Sequence, residues 1–264
     1  MLRPYVFGTA RLDEYLQMTL TQPRAYLFDV EGTVAPISLV SEQLFPFARA
    51  HFSQFLKKSA GDASVRADLA LLAEENQAEK GAGIPRLPIV NHPEQVESPR
   101  FRLDAFVYLV WLMDRDRKST ALKGLQGKIW KTGFENGKLK GTLFDDVPDA
   151  FARWSAEAKV AIYSSGSVEA QRLLFQYSTF GDLTPLISAY FDTRTGPKSV
   201  SASYAVIAAN LGLDPAAVMF FSDVVRELDA AREAGCKTRL VIREGNEPVA
   251  DANGHAELES FALL

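Results

Sequence analysis

The sequence is poor in cysteine and has no long apolar run. Its 264 residues include one cysteine, Cys236, so no disulfide can form within the chain. Such cysteine usage is typical of a reducing compartment. No run approaches the roughly 20 apolar residues of a membrane-spanning helix, and the first residues, MLRPYVFGTARLDEY, lack the apolar core of a secretory signal. We therefore expect a cytoplasmic protein with no membrane partner.

The chain also has few histidines and a small net charge. The formal net charge is −4, which argues against a general electrostatic attraction to nucleic acid. The three histidines, His51, His92 and His255, lack the spacing of metal ligands and are expected to be incidental. Hydrophobic residues make up 47% and charged residues 23%, which predicts a globular protein with a sizeable core.

Five short apolar runs predict the strands of a sheet. Helical patterns lie between most of them, and an alternation of strands and helices indicates a parallel sheet covered on both faces. The fold class predicted is α/β, a Rossmann-like core. The runs are AYLFDV (25–30), KVAIYS (159–164), LISAYFDT (186–193), AVMFFSD (217–223) and TRLVIRE (238–244).

The stretch between the first two strands reads differently. It contains helical patterns and no convincing strand, so we predict an all-helical domain inserted into the α/β core. In the clearest pattern, Leu103, Phe106, Val107 and Val110 would form one apolar face. The predicted helices lie near 41–58, 64–80, 100–117 and 119–130. The predicted organisation is an N-terminal arm (1–24), the α/β core (25–37 and 146–264) and a helical cap domain (38–145).

Polar side chains cluster at the predicted strand ends, where parallel α/β sheets bind their ligands. Asp29 and Glu31 follow the first strand, and the pair Ser164–Ser165 follows the second. Asp223 ends a later strand, with Glu227 one helical turn beyond it, and Lys198 lies in a connecting loop.

These residue types suit phosphoryl chemistry. Gathered carboxylates repel one another unless a hard cation joins them, and Mg²⁺ takes one or two carboxylates plus substrate oxygens. Serine hydroxyls and amides at a helix start suit a phosphate, and lysine adds positive charge. An aspartate can attack phosphorus, and a second carboxylate can act as general acid and base. Glu227 would either support the waters of the metal or pair with a basic neighbour.

The segments that carry these residues resemble the four motifs of the haloacid dehalogenase superfamily. They are FDVEGT, YSSGS, the lysine of TGPK, and FFSDVVREL. Longer phrases, among them DRKSTALKGLQGKIWKTGFENGKLKG and IYSSGSVEAQRLLFQYSTFGDLTP, resemble the enolase-phosphatase E1 (acireductone synthase) family within it. The resemblance runs from about residue 24 to 246 and includes the helical cap. In one departure from the family pattern, Val34-Ala35 stands where another threonine or serine usually follows Gly-Thr.

That resemblance implies a Mg²⁺-dependent phosphoric monoester hydrolase of methionine salvage. It would enolise 2,3-diketo-5-methylthiopentyl-1-phosphate and then remove the phosphate. By motif, Asp29, Glu31 and Asp223 would hold Mg²⁺, with Asp29 also the nucleophile and Glu31 an acid–base candidate. Ser164, Ser165 and Lys198 would bind the substrate. The resemblance also implies a monomer.

Three other functions are compatible with the motifs. The first is a capped phosphatase for a different small organic phosphate. The second is a non-catalytic phospholigand-binding protein, although retention of Asp29, Ser164, Lys198 and Asp223 together argues against it. The third is a haloacid dehalogenase, which also uses an aspartate nucleophile but needs no metal. Aromatic residues of the cap, Trp111, Trp130 and Phe134, are expected to pack within it, with a methylthio contact as the alternative.

Overall fold

The computed structural model describes residues 22–264 and divides into two compact units. One unit comprises the chain from residue 22 to Ile37 together with Thr142–Leu264, and the other comprises Ser38–Gly141. Most of the predicted N-terminal arm lies outside the described residues. Within residues 22–264, no helix combines the length and the apolar composition needed to cross a membrane.

The first unit is built on a six-stranded sheet in the order β3-β2-β1-β4-β5-β6, in which every neighbouring pair is parallel. This arrangement confirms the predicted fold class. The sixth strand was not predicted, because two residues are too few to show an apolar pattern. The strands are β1 (Ala25–Phe28), β2 (Lys159–Tyr163), β3 (Ala189–Phe191), β4 (Val218–Ser222), β5 (Lys237–Val241) and β6 (Glu257–Leu258).

Helices fill the connections of both units. A π-helical turn, Leu39–Leu44, lies at the start of the helical unit, and the first four α-helices of the described residues belong to that unit. The helices are α1 (Phe45–Ser59), α2 (Ala63–Ala78), α3 (Pro99–Met113), α4 (Thr120–Glu135), α5 (Val147–Ser155), α6 (Val168–Gln176), α7 (Ser201–Asn210) and α8 (Val225–Glu233). Short 3-10 turns lie at Pro93–Glu97, Thr184–Leu186, Pro215–Ala217 and Phe261–Leu263.

The two faces of the sheet are covered by different kinds of side chain. On β1, Leu27 belongs to a buried cluster with Tyr204 of α7 and Leu228 of α8. Phe28 points the other way and stacks on Phe221 at 4.8 Å between ring centroids. Trp154, Phe151 and Phe261 complete this aromatic layer. Because side chains alternate along a strand, a continuous apolar run such as that of β1 fills both layers.

The helical unit has its own apolar core. Every one of its four helices contributes, with Phe52, Leu69, Tyr108 and Leu125 among the buried residues. The predicted apolar face of α3 is wrong: Leu103 and Val107 are 58% and 46% exposed. The buried face is instead formed by Phe101, Ala105, Tyr108, Leu109 and Leu112. Because α3 is apolar on most sides, spacing alone could not identify its buried face.

Candidate active site

The first candidate residues meet where β1 and β4 lie side by side. These strands are neighbours in the sheet, and the amide of Asp29 donates to the carbonyl of Phe221 (2.9 Å). Asp29 therefore leaves β1 beside the end of β4, where Ser222 is the last residue of the strand and Asp223 follows it. The connection that follows β1 leads to β2 on one side of this pair, and the connection that follows β4 leads to β5 on the other side. Ligands bind at such switch points of parallel sheets.

Lys198 joins two carboxylates at this point. Its Nζ lies 2.6 Å from Asp29 Oδ1 and 2.6 Å from Glu227 Oε2. The hydroxyl of Ser222 lies within hydrogen-bond distance of both Asp29 Oδ2 (3.3 Å) and Glu227 Oε2 (3.2 Å). All four side chains are at least largely buried, so each needs its partners. Glu227 therefore pairs with a basic neighbour, which is one of the two roles predicted for it.

The loop that carries Lys198 is held by three hydroxyl groups. Tyr163 donates to the carbonyl of Gly196 (2.8 Å), Ser203 to that of Pro197 (2.8 Å) and Tyr204 to that of Lys198 (2.7 Å). Gly196 has a φ of +146°, and a Cβ there would lie 2.2 Å from Ser203 Oγ. The TGPK segment is therefore fixed by close packing against β2 and α7.

Asp223 lies against the loop that follows Asp29. Gly32 has a φ of +71°, and a Cβ on it would come within 2.2 Å of Asp223 Oδ2. Only glycine lets this loop turn and approach the carboxylate so closely. The side-chain amide of Asn246 donates to both Gly32 O (2.8 Å) and Asp223 Oδ2 (3.1 Å). The other oxygen, Oδ1, is buried without a hydrogen-bond partner within residues 22–264.

The crowding of acids perturbs their proton affinities. Burial, reinforced by the charge of Asp29, raises the pKa of Asp223 to about 6. The same two causes raise the pKa of Glu227 to about 7, against the opposing effect of Lys198. For Lys198, burial alone would lower the pKa, but Asp29 and Glu227 raise it above its usual value. The site thus holds more buried acid than the one lysine neutralises.

The remaining predicted site residues occupy the same end of the sheet. Glu31 is half-buried in the loop after β1, and its backbone forms an isolated β-bridge with that of Ala35. Ser164 is buried directly after β2, and its hydroxyl accepts from the amide of Gly166 (3.1 Å), whereas Ser165 is exposed. Ser167, not this pair, caps α6 by accepting from Ala170 N (3.2 Å). The two serines are therefore not needed as the cap of that helix.

The donor set fits a hard divalent cation. Within residues 22–264, no three histidine, cysteine or carboxylate side chains form a ready-made metal cluster. Magnesium does not require one, since it binds through one or two carboxylates with waters and substrate oxygens. Asp223 Oδ1, which is buried and has no hydrogen bond from residues 22–264, is the kind of oxygen that such a cation would satisfy. Asp29 and Asp223 would supply carboxylate oxygens to it.

Several contacting residues were missed by sequence reasoning. Ser222 immediately precedes Asp223 in FFSD, so its position at the strand end could have indicated it. Asn246 follows the fifth predicted strand by a short turn, a place where ligand-side residues are expected. The hydroxyls of Tyr163 and Ser203 had no such signal, because their partners are backbone carbonyls more than five residues away.

Four other residues, Cys236, His255, Trp111 and Trp130, have surroundings that account for them without a catalytic role. Cys236 is buried, and burial raises the pKa of its thiol to about 12. His255 is buried, and its ring nitrogens lie 3.0 Å from Asp229 Oδ1 and 2.7 Å from Thr238 Oγ1.

The two tryptophans of the helical unit also have structural contacts. Trp130 donates from its indole nitrogen to Leu44 O (2.8 Å), and the ring of Trp111 stacks on that of Tyr108.

Comparison with known proteins gives a consistent result. Residues 23–235 match the family model described as haloacid dehalogenase-like hydrolase. Enolase-phosphatase E1 of Synechococcus elongatus is 50% identical over 224 residues, covering 84% of this chain and 90% of that protein. A probable bifunctional methylthioribulose-1-phosphate dehydratase/enolase-phosphatase E1 of Physcomitrium patens is 40% identical over 260 residues, covering 96% of this chain and 50% of that protein.

A solved structure extends the similarity to three dimensions. The UTR4 protein of Saccharomyces cerevisiae superimposes with a TM-score of 0.72 at 34% identity, covering 92% of this chain and 100% of that chain. The family resemblance inferred from the motifs is confirmed. The chain belongs to the haloacid dehalogenase-like hydrolases and, within them, to the enolase-phosphatase E1 family.

Proposed function

We propose that this chain is a Mg²⁺-dependent enolase-phosphatase that converts 2,3-diketo-5-methylthiopentyl-1-phosphate to acireductone and phosphate. The observation that carries the proposal is the position of Lys198 between Asp29 and Glu227, together with an Asp223 oxygen that has no hydrogen-bond partner among the described residues. A nucleophile, a cation for the substrate and an unsatisfied metal ligand are thus supplied by neighbouring loops. Family membership supports the same activity.

The identity of the substrate is supported by simple chemistry. The Physcomitrium patens relative has a name that joins a methylthioribulose-1-phosphate dehydratase to the enolase-phosphatase. Removing water from methylthioribulose-1-phosphate, with tautomerisation of the resulting enol, leaves a diketone that keeps its phosphate. That product is the compound proposed here as substrate.

Magnesium is proposed to bind through the carboxylates of Asp29 and Asp223 and through Glu31, whose backbone carbonyl would be the ligand so that its side chain stays available for proton transfer. When bound, it would neutralise part of the carboxylate charge and polarise phosphate oxygens. Lys198 would bind the phosphate from another side, since its ammonium is buried and held in place by two acids. Ser164 and Ser165, with the amide groups at the start of α6, are proposed to bind the remaining phosphate oxygens.

Hydrolysis is proposed to proceed through a phosphorylated Asp29. A carboxylate oxygen of Asp29 forms a bond to phosphorus while the bond from phosphorus to the C1 oxygen breaks, and Glu31 protonates the departing oxygen. A water deprotonated by Glu31 then attacks phosphorus, releasing phosphate and restoring Asp29. Before this, enolisation transfers a proton from C1 to a base, for which Glu31 is the candidate because it is near Asp29 in sequence, and places negative charge on the C2 oxygen, which the ammonium of Lys198 can stabilise.

The helical segment, residues 38–145, is proposed to act as the cap of this enzyme. Insertion after the first strand places it next in sequence to the nucleophile loop, and a cover that excludes water protects a reactive enediol. We further propose that the enzyme acts in the cytoplasm, as a monomer.

A substrate panel tests the proposal against its alternatives. The purified protein with Mg²⁺ is offered the diketo phosphate, other small organic phosphates and 2-haloacids, and phosphate and halide are measured. We expect phosphate release to be far faster from the diketo phosphate. Faster release from another ester would indicate a capped phosphatase, halide release would indicate a dehalogenase, and binding without turnover would indicate a phospholigand-binding protein.

A further inference from the structure

Asn246 contacts two parts of the site from a fifth loop. It lies in the turn after β5, a strand separated from β1 by β4. Its side-chain amide donates to Gly32 O (2.8 Å) and to Asp223 Oδ2 (3.1 Å). A single NH₂ group, which has two hydrogens, therefore connects the nucleophile loop with the loop after β4.

Because of this contact, the two oxygens of the Asp223 carboxylate have different surroundings. Oδ2 accepts from Asn246, whereas Oδ1 is buried with no hydrogen-bond partner in the described part of the chain. Gly32 packs so tightly on Oδ2 that a methyl group there would overlap it. The carboxylate is thus fixed through one oxygen, and the other oxygen is the one left for a cation.

The turn that carries Asn246 is itself well supported. Its backbone amide donates to Arg243 O (3.2 Å), which closes the turn. The guanidinium of Arg243 forms a two-fold hydrogen bond with Asp146 and donates from Nε to Thr33 O (3.2 Å). The loop after β5 is therefore attached to the nucleophile loop at Gly32 and at Thr33.

We propose that Asn246 is a positioning residue for the cation site: it orients Asp223 and the Gly32 backbone so that Asp223 Oδ1 faces the metal. The inference rests on the proposed function, because it takes Asp223 as a metal ligand. Residues that orient metal ligands typically contribute 10- to 100-fold to metal affinity.

The test is calorimetric titration of the metal-free protein with Mg²⁺ alone, in the wild type, Asn246→Ala and the control Asn210→Ala. Asn210 is an exposed asparagine whose amide donates to Val206 O (2.8 Å) on its own helix. We expect the dissociation constant for Mg²⁺ to rise about 10- to 100-fold in Asn246→Ala and to stay unchanged in Asn210→Ala. The Mg²⁺ concentration for half-maximal turnover should rise in parallel.

Thermal unfolding without metal checks that each variant folds. Should Asn246→Ala not fold, Asn246→Ser replaces it; its shorter side chain should also weaken Mg²⁺ binding. Wild-type affinity in a folded Asn246 variant would overturn the inference and leave the proposed function intact. Absence of Mg²⁺ binding by the wild type would instead contradict the proposed metal site itself.

Discussion

Two buried clusters of acids and cations in the α/β unit differ in how completely their oxygens are paired. In one, Asp146 accepts from Arg243 at 2.9 and 3.0 Å, from Ser260 Oγ at 2.8 Å and from Phe261 N at 2.7 Å. In the other, Lys198 serves both Asp29 and Glu227, while Asp223 keeps an oxygen with no partner in residues 22–264.

The proton affinities reflect this difference. Burial by itself would raise the pKa of Asp146, but the hydrogen bonds from Arg243, Ser260 and the Phe261 amide hold it below its usual value. At Asp223 burial and the charge of Asp29 prevail, and the pKa rises to about 6. Buried charges thus form a structural clamp around Asp146, whereas Asp223 keeps one oxygen without a hydrogen-bond partner among residues 22–264. Buried carboxylates of the second kind, with a raised pKa, are typical of binding sites.

The largest expected effect is on phosphate release. Asp29→Asn should lower it by at least about 10³-fold, since an amide is a poor nucleophile toward phosphorus. Free phosphate is measured under saturating diketo phosphate and Mg²⁺. The matched variant Asp146→Asn removes a buried carboxylate charge at the clamp and should reduce turnover far less, because Asp146 acts only through Arg243 and the loops that Arg243 supports. Equal losses in both would show that the two clusters do not differ in the way proposed.

Metal removal should abolish turnover reversibly. With EDTA, Asp223, Asp29 and Glu31 lose the cation that offsets their mutual repulsion, so phosphate release should fall to background. Excess Mg²⁺ should restore it. Turnover that resists thorough chelation would rule out a metal-dependent site.

At the clamp the expected effect is on stability. Asp146→Asn leaves the guanidinium of Arg243 buried without its counter-charge, which should lower the free energy of unfolding by about 2–4 kcal/mol. Denaturant unfolding at pH 7 measures this. Because the folded-state pKa of Asp146 is depressed, its contribution should disappear as the pH falls below about 4. A variant as stable as the wild type at pH 7 would show that the clamp contributes little.

The smallest expected effect is a gain in stability when Asp223 is replaced. Ionised Asp223 is disfavoured in the folded state, because its pKa is raised from the ordinary 3.8 to about 6. Without metal, Asp223→Asn should therefore raise the free energy of unfolding at pH 7 by about 1–3 kcal/mol. This gain should shrink as the pH falls from 6 to 4, where the wild-type carboxyl holds its proton. Mg²⁺ should stabilise the wild type and not the variant; destabilisation by Asp223→Asn at pH 7 would refute this account.

The sequence predicted the features that depend on neighbouring residues. Each of the five apolar runs overlaps an observed strand, because buried parallel strands are rich in apolar residues. Asp29, Lys198 and Asp223 were recognised from their motifs, and the structure places them at the same end of the sheet. Their metal and substrate roles stay predictions.

Features that depend on distant contacts could not be predicted. Asp146 and Arg243 are 97 positions apart, and nothing local marks either as half of a buried pair. Asn246 and Gly32 are separated by 214 positions. On α3, Leu103 and Val107 had suitable spacing, but packing within the helical unit selected another face.

One chain is proposed both to enolise and to dephosphorylate its substrate. The most direct test is a time course with the diketo phosphate and Mg²⁺ that follows the absorbance of the enol and the release of free phosphate together. We predict that the enol signal rises before phosphate appears and that Asp29→Asn abolishes phosphate release. Phosphate appearing with no enol signal, or a substrate left untouched, would contradict the account.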